Sequence, residues 1–151
     1  MDDLKTILAR AKARAAEKML PYAGALLPVE ANAIMLADSD ARLVDVRTQA
    51  ELDWVGRVPD ALTIEWNGWP GGEKNPRFIE QLKSDVPSTQ ATLMFICRSG
   101  ARSHNAAVAA TQAGCTNCFN VLEGFEGDKD ENGHRNTRGG WRAAGLPWVQ
   151  S

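Results

Sequence analysis

Hydrophobic positions recur along the chain with two different periods, and their alternation predicts the elements. Leu4, Ile7, Leu8, Ala11, Ala15 and Met19 fall one or two helical turns apart with Lys and Arg on the other faces, which predicts an amphipathic helix. Asp2 and Asp3 stand ahead of it, where negative charge suits the positive end of a helix. Such a helix is expected to pack on the domain surface; the sharper alternative is an arm for oligomerisation or for docking a partner. Pro28 to Ala37 predicts a second helix with Val29, Ala33, Ile34 and Leu36 apolar. Ala41 to Val46 (A-R-L-V-D-V) predicts a strand, and Thr48 to Trp54 a short helix opened by a Thr cap with Glu51 three residues on. Leu62 to Trp66 predicts a second strand. Asn75-Pro76 then places a cap residue and a first-turn proline ahead of a stripe of Phe78, Ile79 and Leu82. Ala91 to Cys97 is nearly all apolar, as a central parallel strand covered on both faces requires. A helix from Ser103 to about Ala113 follows, stopped by Gly114, and Phe119 to Leu122 makes a last strand. Strands alternating with helices predict an α/β domain with a mainly parallel sheet. Residues 124–140 break the pattern: rich in Gly, Asp, Asn, Arg and Lys and without periodicity, they predict a long surface loop of the kind that is often functional.

Composition narrows this picture. A chain of 151 residues, 44% hydrophobic and 24% charged, is sized for one globular domain. A net charge of -2 argues against nucleic acid or an anionic membrane as the main partner, and no stretch approaches the roughly 20 apolar residues of a membrane helix. The acidic opening Met1-Asp2-Asp3, with charges recurring through Lys18, is not a secretory signal, so a cytoplasmic protein is expected. Three cysteines are too few for a disulfide scaffold, which agrees with a reducing compartment.

Candidate chemistry gathers at Cys97. It ends the apolar strand, and Arg98, Ser99, Gly100, Ala101 and Arg102 separate it from the predicted helix at Ser103. In open parallel sheets ligands bind at the C-terminal ends of strands. A short strand-to-helix loop can curl so that successive N–H groups point inward, and the helix adds its positive end. Gly100 gives the curl its conformational freedom, Ala101 is small enough for close backbone approach, and Arg98 and Arg102 add a basic rim. A thiol there is expected to ionise below its free value of about 8.5. A merely buried strand cysteine needs none of this apparatus.

The loop C-R-S-G-A-R-S resembles the active-site loop of rhodanese-like domains. The likeness extends upstream through L-V-D-V-R at Leu43 to Arg47, Glu51, and G-R-V-P-D-A at Gly56 to Ala61, and downstream through F-N-V-L and Glu123-Gly124. It covers about Pro28 to Trp148, with two departures, Arg57 and Asp60, where that family often carries His and Gly. The domain is accordingly drawn at 23–151, with 1–22 as an N-terminal amphipathic helical extension. The resemblance implies a rhodanese-like α/β fold, a mainly parallel central sheet flanked by helices on both faces. It also implies sulfur transfer: Cys97 takes the outer sulfur of a donor such as thiosulfate or a persulfide, holds it as a Cys97 persulfide and passes it to a thiophilic acceptor. The amides from Arg98 to Arg102, with Ser103, would hold that sulfur. The partners implied are a small anionic donor such as thiosulfate and a thiol or cyanide acceptor, with a protein donor or acceptor as a further option; no cofactor and no metal is called for. Asp45 and Arg47 look structural, with Arg47 expected to pair with Glu51 at i,i+4. The C-x4-R spacing is one residue shorter than the loop of related phosphatases and arsenate reductases, which makes those activities the alternative. A non-catalytic binding module is a third.

Other signals are weaker. Cys115 and Cys118 show C-x-x-C spacing, but with His104 and His134 they form no zinc pattern and are expected to be structural; either could still resolve a Cys97 persulfide. Asp128, Asp130, Asn132 and Gly133 copy the opening of a calcium loop, yet its twelfth position is Gly139 rather than Glu. His104 is expected to be a solvated helix residue. Trp66 and Trp69 are candidates for the wall of the site, and Trp141 and Trp148 for pins holding the chain end to the core.

Overall fold

The computed structural model describes residues 3–150; Asp2, one of the two aspartates expected to open the first helix, lies outside them. In chain order the elements are α1 (Leu4–Lys18), β1 (Gly24–Leu26), α2 (Pro28–Ala37), β2 (Arg42–Asp45), α3 (Gln49–Val55), β3 (Leu62–Thr63), α4 (Phe78–Asp85), β4 (Thr92–Ile96), α5 (Ala101–Gln112) and β5 (Asn117–Val121). The strands form one parallel sheet in the order β1-β5-β4-β2-β3. Alternation along β4 explains the apolar run read from the sequence. Leu93, Phe95 and Cys97 face the layer built by α4 and α5, while Met94 and Ile96 face the layer of α1 and α2. A strand buried on both sides has no polar face to show. No helix among the described residues is long and apolar enough to cross a membrane.

Local chemistry sets the helix starts. Asp3 caps α1 by accepting the Thr6 N–H at 2.8 Å. Thr48 and Glu51 form the expected capping box of α3, each accepting the other's backbone N–H. Asn75-Pro76 differs from expectation: Asn75 Oδ1 accepts the Arg77 N–H at 3.0 Å, which makes a turn there and delays α4 to Phe78. Pairing of β3 ends at Thr63, although Ile64 and Trp66 still donate to Asp45 and Val46 along β2.

Two parts of the fold were not expected. The first is β1, whose three residues are all buried beside β5; an element so short, made of Gly24, Ala25 and Leu26, leaves no periodic trace. The second is its contact with α1, which packs on the domain as expected but does so against this strand. Ile7, Ala11 and Ala15 are buried, and Arg14 donates to Ala25 O at 2.9 Å and pairs with Glu30 of α2 at 2.6 Å. A Cβ on Gly24 would come within 2.7 Å of the Phe119 ring and 2.9 Å of the Ala11 backbone. Gly24→Ala should therefore cost about 1–3 kcal/mol of stability by overpacking, read as a lower urea midpoint.

Candidate active site

Cys97 follows β4 directly and is only 1% exposed. Gly100, at φ +114°, turns the chain sharply enough for α5 to begin at Ala101, two residues before the expected start. The loop proper is thus only Arg98, Ser99 and Gly100. Within this curl the Gly100 N–H donates to Cys97 Sγ at 3.1 Å, and Ser103 Oγ lies 3.3 Å from the same sulfur. The first N–H groups of α5 have no acceptor within the helix and open onto the same place.

Asn120 of β5 braces the curl from below. Ser103 Oγ donates to Asn120 Oδ1 at 2.6 Å, and Asn120 Nδ2 donates to Gly100 O at 3.3 Å. With its one proton committed to Asn120, the Ser103 hydroxyl faces the sulfur with a lone pair, so the thiol is the donor in this arrangement. Ser103 was among the expected residues and Asn120 was not. Its signal was a polar residue inside the apolar run F-N-V-L, which in a buried strand needs a partner. His104 is not simply solvated: its Nδ1 is 2.8 Å from the Tyr22 hydroxyl, with the rings edge to face.

The segment after β5 closes the other side. Phe125 N–H donates to Cys97 O at 2.8 Å and Glu126 N–H to Arg98 O at 3.0 Å. Gly124 packs directly on these peptides. The loop expected at 124–140 therefore begins as part of the site, with Phe125 fully buried. Farther along, the Asp130 carboxylate is occupied by the N–H groups of Asn132 and His134 and by the Thr137 hydroxyl, at 2.8–2.9 Å. The calcium-like spelling is thus a self-closed turn, and no cluster of three or more His, Cys, Asp or Glu able to hold a metal occurs among the described residues.

The expected Arg47–Glu51 pair does not form. Arg47 stands before the Thr48 cap rather than on the helix, and two residues along an extended chain put it on the same face as Asp45. Its Nη2 meets Asp45 Oδ2 at 2.7 Å and Gly56 O at 2.9 Å, and its guanidinium lies 4.2 Å from the Phe125 ring centre, all fully buried. Both Asp45 oxygens bond to Arg47. Glu51 turns outward instead and takes Arg102 in a two-pronged pair at 2.7 and 2.8 Å. The basic rim is therefore split. Arg102 is neutralised, whereas Arg98 is exposed and carries no ion pair among the described residues.

Burial works against the Glu51 carboxylate, but the Arg102 guanidinium and the Thr48 N–H outweigh it and hold the group down at about 2. A free glutamate titrates at about 4.3. The pair therefore contributes its full stability above that value and loses it as the pH falls through about 2. Glu51→Gln should destabilise the fold at neutral pH, and the gap to the parent chain should narrow between about pH 5 and about pH 2 in denaturant titrations.

Cys115 and Cys118 are free and buried. Burial pushes both thiols up, Cys118 to about 12. In the parallel register Cys118 sits opposite Leu93, four residues back from Cys97, or about 13 Å along the sheet. That separation removes Cys118 as a resolving thiol.

Beside the loop opens a hollow of about 550 Å³, lined by Trp54, Trp69, Glu51, Arg98, Arg102 and Glu126 among others. Trp69 is where a wall was expected. Trp66 is not, since it packs edge to face on Phe78 at 5.1 Å. Trp54 takes its place. Trp141 and Trp148 do pin the chain end: Trp141 is fully buried with its Nε1 donating to Pro147 O at 2.8 Å, and Trp148 meets Phe125 edge to face.

Known proteins resemble this chain in sequence and fold. The family model of the rhodanese-like domain matches residues 28–131. A crystal structure of Rv0390 from M. tuberculosis is 43% identical, with a TM-score of 0.78, covering 86% of this chain and 99% of that one. The uncharacterized protein RC0915 of Rickettsia conorii is 33% identical over 118 residues, 76% of this chain and 88% of that protein. A sulfurtransferase of Allochromatium vinosum is 34% identical over 91 residues, 60% of this chain and 74% of its own length. With its parallel sheet, its cysteine-headed loop and these relatives, the chain belongs to the rhodanese-like domain family.

Proposed function

We propose that this protein is a sulfurtransferase that carries sulfane sulfur as a persulfide on Cys97. The observation that carries the reading is the setting of Sγ. It sits at the C-terminal end of a central strand, with the Gly100 N–H at 3.1 Å and the start of α5 around it. With thiosulfate as donor, the Cys97 thiolate attacks the outer sulfur, the S–S bond of thiosulfate breaks, and sulfite leaves with the bonding pair. The new Sγ–S bond leaves a terminal sulfur anion beside the amides of the curl. Loss of the thiol proton frees Ser103 to turn its hydroxyl from Asn120 to the sulfur, which gives the anion a second donor. An acceptor thiolate or cyanide then removes the outer sulfur and regenerates the thiolate. No cofactor enters either step, and free thiols at all three cysteines suit a reducing, cytoplasmic setting. The acceptor is a small thiol, cyanide or a protein thiol.

Sulfite release tests this. Mixed with thiosulfate and no acceptor, the chain should release about one sulfite per molecule in a burst, followed by turnover only when cyanide is added. No burst, together with hydrolysis of an aryl phosphate, would move the site to phosphoryl chemistry instead.

A further inference from the structure

We infer that Tyr22 and His104 are positioning residues for Cys97, setting through Asn120 and Ser103 which way the hydrogen bonds run at its sulfur. The inference rests on the sulfur-transfer reading, since the anion it serves is the thiolate or persulfide of that route. Side chains from separate parts of the fold meet here in one line. Cys97 Sγ lies 3.3 Å from Ser103 Oγ, which donates to Asn120 Oδ1 at 2.6 Å. The Tyr22 hydroxyl, from the segment between α1 and β1, reaches the Asn120 side chain and stands 2.8 Å from His104 Nδ1. Cys97, Ser103, Asn120 and Tyr22 are buried, whereas His104 is partly exposed. The line thus runs from a sulfur shut off from water to a ring that touches it.

The Asn120 amide fixes the direction. An amide presents one oxygen and one NH2. Ser103 takes the oxygen, so the NH2 turns to Gly100 O at 3.3 Å and to Tyr22. The Tyr22 oxygen then accepts, and its own hydrogen goes to His104 Nδ1. Burial pushes the phenol up, so the hydroxyl keeps that hydrogen. Every donor points away from Cys97, which suits a thiol; a sulfur anion needs the reverse. Turning Ser103 alone would leave Asn120 Oδ1 buried without a donor, which is costly. Turning the amide over avoids this. Nδ2 then donates to Ser103, Tyr22 donates to Oδ1, and His104 Nδ1 carries a hydrogen and donates to Tyr22. The bond given up, to Gly100 O, is a long one at 3.3 Å. An imidazole nitrogen changes from acceptor to donor by exchanging a proton with water, which suits the partly exposed end of the line.

Titration of the Cys97 thiol tests the line without any sulfur donor. Thiolate ultraviolet absorbance is read for each protein against the same protein carrying Cys97→Ser. Tyr22→Phe leaves Oδ1 without a donor in the reversed arrangement, so the midpoint should rise by about half a pH unit or more. His104→Phe keeps an aromatic edge against Tyr22 but removes the acceptor that the outward arrangement needs, so the midpoint should fall by a similar amount. His104→Asn can accept or donate near the same place and should stay close to the parent. The charges around the sulfur, Arg98, Arg102 with Glu51, and Asp45 with Arg47, are common to all variants. Lost packing would lower urea midpoints and leave the thiol midpoints together. Unmoved thiol midpoints, or shifts of one sign, would overturn the inference. Should Tyr22→Phe fail to fold, the fall in His104→Phe and its absence in His104→Asn decide. Given thiosulfate at neutral pH, Tyr22→Phe should lose kcat/KM severalfold. Opposite shifts with no sulfur loaded on Cys97 would remove the sulfur-transfer reading and keep the line; loading with unmoved midpoints would remove the line alone.

Discussion

Cys97→Ala should lower sulfur transfer from thiosulfate by about 10⁴-fold or more while leaving the fold intact, because the whole route passes through this sulfur. The side chain is buried among Phe95, Ala106 and Ala107 at the edge of the α4/α5 core, so exchange for a methyl group removes the nucleophile with little loss of packing. Cys115→Ala and Cys118→Ala provide the contrast. Their thiols are held protonated by burial, and Cys118 lies at the opposite end of the sheet. Each should keep turnover within about twofold of the parent, with the modest stability loss expected for a small buried side chain. Thiosulfate:cyanide kinetics on the three variants separates the cysteines directly.

Gly124→Ala should also damage activity, less severely and by a different route. Gly124 adopts φ +67°, and a Cβ there would lie 2.6 Å from Arg98 C, Arg98 O and Cys97 O. All three are backbone atoms of the curl, so relief requires moving the loop. That movement breaks the bonds from Phe125 N–H to Cys97 O and from Glu126 N–H to Arg98 O. A shift of about 1 Å at a reacting atom can cost about a hundredfold in rate, and strain plus overpacking should remove about 2–4 kcal/mol of stability. Gly133→Ala is the matched control. It has φ +77° in the same long segment but nothing within 4 Å of the added methyl. It should cost only about 1 kcal/mol and leave kcat/KM close to the parent value. Urea unfolding and kcat/KM measured on both variants distinguish a damaged loop from a strained turn.

The contrast between these residues also shows how much of the site was legible in the sequence. Cys97, Gly100 and the helix beyond them were readable because strand end, loop and helix start are contiguous in the chain. The Thr48–Glu51 cap was readable for the same reason. What depended on strands meeting was not. Asn120 reaches Gly100 and Ser103 only because β5 pairs with β4, and Trp54 reaches Trp69 only because α3 and the segment after β3 converge. Spacing alone put Arg47 opposite Glu51, but the Thr48 cap places Arg47 outside the helix, where burial and Asp45 claim it. Glu51 was then left for Arg102, 51 residues away in the chain. The strand β1 was invisible because three small or apolar residues carry no period.

Intact-protein mass spectrometry of the chain incubated with thiosulfate tests the central claim most directly. A single addition of about 32 Da should appear, map to the peptide containing Cys97, and disappear on treatment with cyanide. An unchanged mass, or an addition that survives in Cys97→Ala, would contradict it.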